Sequence, residues 1–383
     1  MSKRKICYVT GSRADFGLLS LLIEESKKNR HLHTQIIATG SHFSKAFGNS
    51  YEEILEHNKI DKKVKIIGNK SSEMDVIKSI SNGITRLSIA YKELKPDLLV
   101  VLGDRYEILS ACIAALILNI PIAHIHGGEL SYGSFDDSIR HSITKMSHLH
   151  FTSTPVYKKR VIKLGENPKR VFNVGSLGVE NLKKIKLIKK KELKEILEIN
   201  FSQRNLLLVF HPVTLDNKNS VKHLKDILSV LRSLKNTNIF LTKSNADPKG
   251  DLINKILENF NKTNKNSYIF ATLGHIKFLS LLKCVDGIIG NSSSGIIEAP
   301  SLKVGSINIG IRQKGRAMAE SIINCEPNKI EIKNAIKKLY SKSFIKRLNL
   351  TKNPYDKKNT SINILKQLEK VNLNKIILKK FYD

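Results

Sequence analysis

Short apolar runs alternate with longer stretches of helical period along most of the chain. In the first half the runs fall at residues 6–10, 34–38, 63–67, 98–102, 122–126, 150–152 and 171–174. Between them, apolar positions at helical spacing predict helices over 18–28, 74–93, 106–118 and 138–147. A polar, lysine-rich helix is expected over 182–198. The alternation then restarts, with strands at 206–210, 239–242, 268–270, 287–289 and 306–309 and helices over 221–234, 252–260, 276–283 and 330–339. Strand–helix alternation of this kind argues for parallel sheets with crossover helices. The expected fold class is therefore α/β, with two doubly wound domains over 1–180 and 181–355. The tail, 356–383, is polar with helical period and is expected to pack back on the first domain. Ligands on open α/β sheets sit beyond the carboxyl ends of the strands, so the expected site is a cleft between the two domains.

Composition changes this picture little. The net charge is +31, from 65 Lys and Arg against 34 Asp and Glu. A basic balance raises the question of nucleic acid or membrane surfaces. Here the lysines are scattered and aromatics are only 6%, unlike the clustered Arg and stacking rings of nucleic-acid readers. No nucleic-acid partner is expected. The longest apolar run, 109–125, is interrupted by Asn119 and Pro121, so no membrane span is expected either. The first apolar piece, 6–10, is too short for a signal-peptide core, which makes the cytoplasm the expected compartment. Cys7, Cys112, Cys284 and Cys325 lie far apart without metal-type spacing and read as buried thiols.

The candidate chemistry falls just after the predicted strands. Gly11-Ser12-Arg13-Ala14-Asp15 precedes a helix, where backbone N–H groups and Arg13 can meet an anion; its plain reading is a turn with Asp15 as N-cap. The GxGxxG spacing of a nicotinamide site is missing. Gly103-Asp104-Arg105 ends an apolar strand. His126-Gly127-Gly128-Glu129 follows another, and Asp136-Asp137-Ser138-Ile139-Arg140-His141 lies one loop further on. One of those aspartates can simply cap the helix, but the density of ionisable groups exceeds what a cap needs. Carboxylates crowded together push each other's pKa apart, which suits acid and base roles. In the second half, His211-Pro212-Val213-Thr214 and Ser244-Asn245-Ala246-Asp247 end two strands. Gly290-Asn291-Ser292-Ser293-Ser294-Gly295 opens a short helix bearing Glu298; small hydroxyl residues with free N–H groups suit a pyrophosphate. No Lys-Ser/Thr closes that loop, which argues against a Walker-type ATPase. The segment Ile309-Gly310-Ile311-Arg312-Gln313-Lys314-Gly315-Arg316 adds the cations of Arg312, Lys314 and Arg316 after the last strand.

Taken in order from Gly11 to Arg316, these segments resemble the hydrolysing UDP-N-acetylglucosamine 2-epimerases of sialic acid biosynthesis and their relatives in legionaminic acid biosynthesis. The resemblance implies a GT-B-like arrangement of two Rossmann-like domains. It implies elimination of UDP to a 2-acetamidoglucal, then addition of water to release N-acetylmannosamine. By the same resemblance Asp104, Glu129 and Asp136 form the acid/base group, with His211 beside the phosphates. Arg13, Arg105, Asn245, Ser292, Ser293, Glu298 and Arg312 become UDP contacts, and a homo-oligomer, dimer or tetramer, is expected. No metal or organic cofactor is implied. Non-hydrolysing relatives tend to read Glu-Ala-Gly where this chain has His126-Gly127-Gly128, which places it nearer the hydrolysing branch. The alternatives are a hydrolysing UDP-N,N'-diacetylbacillosamine 2-epimerase, a non-hydrolysing epimerase, a GT-B glycosyltransferase and a binding-only protein.

Overall fold

The computed structural model describes residues 3–44, 50–56, 58–66, 72–213, 217–244 and 250–383. Two compact units divide the chain. The first comprises 1–129, 135–181 and 355–383, and the second comprises 130–134 and 182–354.

The first unit begins β1 (Arg4–Thr10), α1 (Arg13–Lys28), β2 (Leu32–Thr39), α2 (Tyr51–Leu55), β3 (Lys62–Val64), α3 (Glu73–Leu94), β4 (Leu98–Leu102) and α4 (Tyr106–Ile117). It continues with β5 (Ile122–Ile125), α5 (Phe135–Met146), β6 (Leu149–Thr152), α6 (Pro155–Lys163), β7 (Val171–Asn173) and α7 (Leu177–Lys184). Its strands make one sheet in the order β3-β2-β1-β4-β5-β6-β7, every neighbouring pair parallel. β4 reads Leu-Leu-Val-Val-Leu and is buried throughout, as a strand covered on both faces must be. The period-2 alternation sends Ile6 and Tyr8 into a core with α1, and Cys7 and Val9 into a second core with α3 and α4. α1 supplies Phe16, Leu19, Leu22 and Ile23 at helical spacing to the first of these cores. α3 starts on a capping box in which the Ser72 hydroxyl and the Asp75 carboxylate satisfy each other's backbone N–H.

The second unit repeats the plan with α8 (Lys190–Ile196), β8 (Arg204–Val209), α9 (Asn217–Arg232), β9 (Thr237–Thr242), α10 (Gly250–Thr263), β10 (Ser267–Phe270), α11 (Gly274–Cys284), β11 (Gly287–Gly290) and α12 (Ser294–Ile297). β12 (Gly305–Ile309), β13 (Ile322–Cys325), α13 (Lys329–Leu339) and α14 (Lys342–Leu350) follow. The sheet order is β10-β9-β8-β11-β12-β13, again all parallel. Both sheets thus reverse their strand order beside their first strand, at β1/β4 and at β8/β11, where doubly wound folds bind ligands.

The chain then returns to the first unit with α15 (Thr360–Lys370) and α16 (Leu373–Ile376). Ile364, Leu365 and Leu368 of α15 join the core formed by α1. Beyond α16, Lys379 donates to the carbonyls of Lys145 (2.5 Å) and Ser147 (2.6 Å) at the end of α5 and pairs with buried Glu166 at 2.8 Å. Phe381 lies over Gly165, which has φ +81° and where a Cβ would collide with that ring.

Four expectations need correction. The helix over 182–198 is two helices, α7 and α8, because residues 185–189 are not helical and the Ile188 N–H goes instead to Ser280 Oγ at 3.0 Å. α6 and β13 were absent from the sequence reading. The strand placed at 63–67 is β3, and Ile67 lies outside the described residues. Of the four thiols Cys7, Cys112 and Cys325 are buried while Cys284 is half-buried.

Candidate active site

At the carboxyl end of β1 the Ser12 hydroxyl, and not Asp15, caps α1; it accepts the Asp15 N–H at 3.2 Å. Serine wins because it sits at the extended residue before the helix, three positions from the orphan N–H. The Asp15 carboxylate is buried and accepts the Gly11 N–H at 3.3 Å. Burial pushes its pKa up to about 6, against the pull of Arg105 and with a further push from Glu107. Arg13 reaches α2, pairing with Glu53 at 2.6 Å.

Beside this loop, at the end of β4, Gly103 takes φ +80°, which glycine adopts at no steric cost. Arg105 is held by a fully buried partner, Glu107, through Nε and Nη2, each at 3.2 Å. A guanidinium gripped at two nitrogens keeps one orientation.

Arg140 is the hub of the acidic cluster. It stands on α5, is 4% exposed, and donates from Nη1 to the His126 carbonyl at 2.8 Å and from Nη2 to Asp104. It thereby ties the ends of β4 and β5 to one helix. Asp136 lies four residues earlier on the same helix, on the same face. His126 has φ +66°, rare for a non-glycine residue, and its backbone is held from both sides: its N–H goes to Phe151 O at 2.8 Å and its carbonyl to Arg140. Glu129 is buried at 2% exposure, accepts Ser153 Oγ–H at 2.7 Å, and has His126 Nδ1 3.4 Å from the same oxygen. Gly128 between them has φ +78°, and a Cβ there would meet Tyr157 O at 2.7 Å. Beneath Gly103, His124 donates from Nε2 to the Gly103 carbonyl at 2.8 Å; burial lowers its pKa to about 3, so it is neutral.

In the second unit His211 follows β8 and Asn291 follows β11. The His211 N–H donates to Asn291 Oδ1, and Asn291 Nδ2 donates back to the His211 carbonyl, both at 2.8 Å. The Asn291 carbonyl in turn receives Gln313 Nε2 at 2.8 Å and Arg312 Nη1 at 3.3 Å. His211 Nδ1 contacts Ser244 Oγ at 3.3 Å. Ser292 and Ser293 are half-buried at the head of α12, and Glu298 is buried at its end. Gly295 packs where a Cβ would meet Ser306 Oγ at 2.5 Å, bringing that turn close against β12.

The candidate residues therefore fall into two groups. Asp104 pairs with Arg140, Asp136 shares its helix face, and Glu129 stands on the loop whose His126 carbonyl Arg140 holds, with Arg105 on the adjoining loop. His211, Ser292, Ser293 and Arg312 gather around Asn291. Asn245 and Thr214 lie outside the described residues. The sequence reading gave no role to Arg140, Asn291 or Gln313, although all three lay inside its motifs, and it missed Glu107 and Ser153 altogether. Among the described residues no group of three or more His, Cys, Asp or Glu is arranged to hold a metal ion, and no helix is long and apolar enough to cross a membrane.

Two Rossmann-like units of this strand order define a GT-B-like α/β protein. The solved structure of UDP-GlcNAc 2-epimerase from Neisseria meningitidis bound to UDP-GlcNAc shares this fold at a TM-score of 0.80, with 18% identity and coverage of 96% of this chain and 100% of that one. Residues 24–369 match the UDP-N-acetylglucosamine 2-epimerase family. The chain is 46% identical, over 100% of both chains, to the GDP/UDP-N,N'-diacetylbacillosamine 2-epimerase (hydrolyzing) of Campylobacter jejuni. It is 41% identical to the polysialic acid biosynthesis protein P7 of Escherichia coli, over 95% of this chain and 93% of that one. The chain belongs to the UDP-N-acetylglucosamine 2-epimerase family, and it is an enzyme of the hydrolysing UDP-sugar 2-epimerase kind.

Proposed function

We propose that this enzyme acts on UDP-N,N'-diacetylbacillosamine, releasing UDP and the free C2 epimer of the sugar for legionaminic acid synthesis. The observation that carries this reading is the 46% identity, end to end, with a relative named for the GDP- or UDP-linked form of that sugar and for hydrolysis. It reverses the order of the two substrates in the sequence reading. The UDP-N-acetylglucosamine reading, with N-acetylmannosamine as product, stands second, on the 41% identical polysialic acid biosynthesis protein.

The chemistry asks for few parts. A base removes the C2 proton, the C1–O bond to UDP breaks, and the C–H electron pair becomes the C1–C2 double bond. Water then adds across it, its hydroxyl at C1 and a proton at C2 on the opposite face. In this reading Asp104, Glu129 and Asp136 carry the proton traffic, with Arg140 holding Asp104 in place. His211, Ser292, Ser293 and Arg312 take the charge that builds on the departing diphosphate, with Arg13, Arg105, Asn245 and Glu298 as further UDP contacts. Oriented donors do this best, and the Asn291 bonds to His211, Gln313 and Arg312 supply such orientation. The enzyme is also proposed to work in the cytoplasm as a homo-oligomer, a dimer or tetramer, in line with the family resemblance; sedimentation of the purified protein measures the latter.

Proton NMR in deuterated water, with each nucleotide sugar supplied separately, tests the substrate. The expected result is free UDP and free 2-epimer carrying deuterium at C2, with kcat/KM at least roughly tenfold higher for the diacetylbacillosamine donor, the discrimination a site built for the extra acetamido group gives. A preference for UDP-N-acetylglucosamine restores the second reading. An epimerised sugar still joined to UDP means the non-hydrolysing reaction, and no turnover without an acceptor means a transferase.

A further inference from the structure

Ser153 is the residue immediately after β6, and it is 1% exposed. Its position invites the view that it caps α6, but that task belongs to Thr154, whose hydroxyl accepts the Tyr157 N–H at 3.4 Å. The Ser153 hydroxyl instead donates to Glu129 Oε1 at 2.7 Å, across from β6 to the loop after β5. The parallel register that pairs Ile125 with Phe151 sets these two strand ends side by side. His126 Nδ1 approaches the same Glu129 oxygen at 3.4 Å, from a backbone locked in the left-handed region by Phe151 and Arg140. Arg160 donates to the Gly128 carbonyl, so the loop bearing Glu129 is pinned between its two ends. Two side chains from two strand ends thus converge on a single oxygen of one buried carboxylate.

We propose that Ser153 and His126 are positioning residues for Glu129: they fix the plane of its carboxylate for proton transfer, and Ser153 carries the larger share. The inference rests on the 2-epimerase reading above and deepens it. A carboxylate whose oxygen accepts a short hydroxyl bond is held in one rotamer, and the bond favours its ionised form. Removing the hydroxyl frees the rotamer and raises the proton affinity of Glu129 without touching the nucleotide contacts.

The test compares Ser153→Ala, Ser153→Thr and Glu129→Gln with the double variant Ser153→Ala/Glu129→Gln, using the full chain and the better of the two nucleotide sugars. Ser153→Ala is expected to lower kcat by roughly 10- to 100-fold with KM nearly unchanged, and to move the acid limb of kcat/KM to higher pH. Ser153→Thr, which keeps the hydroxyl, restores most of the loss. On the Glu129→Gln background the Ser153 change adds nothing, since a residue that acts through another has no effect once the other is gone. His126→Ala is expected to lower kcat in the same sense but less. Turnover of Ser153→Ala equal to the parent overturns the inference, as does a loss that multiplies with that of Glu129→Gln. If the parent protein itself turns over neither nucleotide sugar, the proposed function has failed and not this arrangement.

Discussion

Asp104 and Arg140 form an ion pair with side-chain exposures of 18% and 5%, and the same guanidinium holds the His126 carbonyl at 2.8 Å. One cation therefore sets the position of a carboxylate and of the loop that carries another. Removing one partner of such a pair typically costs 3–5 kcal/mol, so Arg140→Ala is expected to lower stability by about that much. Arg140→Lys reaches only one of the two acceptors. It is expected to fold, with turnover down by roughly tenfold or more. Denaturant unfolding and kcat, measured on the same samples, check both.

Asp104, Glu129 and Asp136 carry the proposed proton transfers. Asp104→Asn, Glu129→Gln and Asp136→Asn are each expected to cut turnover by roughly a hundredfold or more while far-ultraviolet circular dichroism stays that of the parent. Near-parental turnover in all three would remove the acid/base assignment.

Nucleotide affinity is expected to follow the second group. Arg312→Ala and Ser292→Ala each weaken UDP binding by roughly 10- to 150-fold, the worth of a hydrogen bond to a charged partner. Asn291→Ala does the same at a distance, because it removes the bonds that set the His211 backbone. Calorimetric titration with UDP reads all three, and unchanged affinity throughout would place the nucleotide elsewhere.

Asp15 predicts a specific pH dependence. Its folded pKa is raised to about 6 from 3.8, chiefly by burial, so the folded state holds a proton that the unfolded chain has already lost. Its contribution is favourable at low pH and is lost as pH rises from about 4 to about 6. His42 and His124, lowered to about 3 by burial, act in the opposite sense over pH 3 to 6.5. The difference between the parent and Asp15→Asn isolates the carboxyl. The variant is expected to gain on the order of 3 kcal/mol relative to the parent between pH 4 and pH 7, as read from urea midpoints.

Glu166 behaves the other way. Burial would raise its pKa, but the His150 N–H at 2.9 Å and the ammoniums of Lys145 and Lys379 outweigh it and hold it at about 2. The stability it contributes is complete above pH 4.5 and lost as pH falls toward 2. Lys379→Met also takes the donor from the Lys145 and Ser147 carbonyls. It is expected to destabilise the first unit by about 2–4 kcal/mol at pH 7, and by less at pH 3, in thermal unfolding.

Most strands were legible because they are buried on both faces and read as unbroken apolar runs, β4 being the clearest. β13 was not legible. It is a four-residue edge strand, Ile-Ile-Asn-Cys, and its pairing with β12 exists only through the sheet. α6 was hidden by its lysines and arginine, and its Thr154 cap followed by Pro155 was the overlooked signal. The acidic cluster was legible as motifs because its members come from two strand ends and one helix start. Its internal wiring was not. Ser153 meets Glu129 only because β5 and β6 are neighbours in register, and Glu107 resembles an ordinary first-turn acid until its burial against Arg105 is known. Asp15 shows the converse: its spacing fits a cap, but Ser12 stands one step better for the task.

The return of residues 355–383 to the first unit sets an order on biosynthesis. The ribosome makes the stretch 182–354 before α15 exists, an interval of roughly 10–35 s at ordinary elongation rates. Throughout it the apolar stripe of α1, with Leu19, Leu22 and Ile23, lacks its cover of Ile364, Leu365 and Leu368. The first unit to be translated is thus the last to be finished.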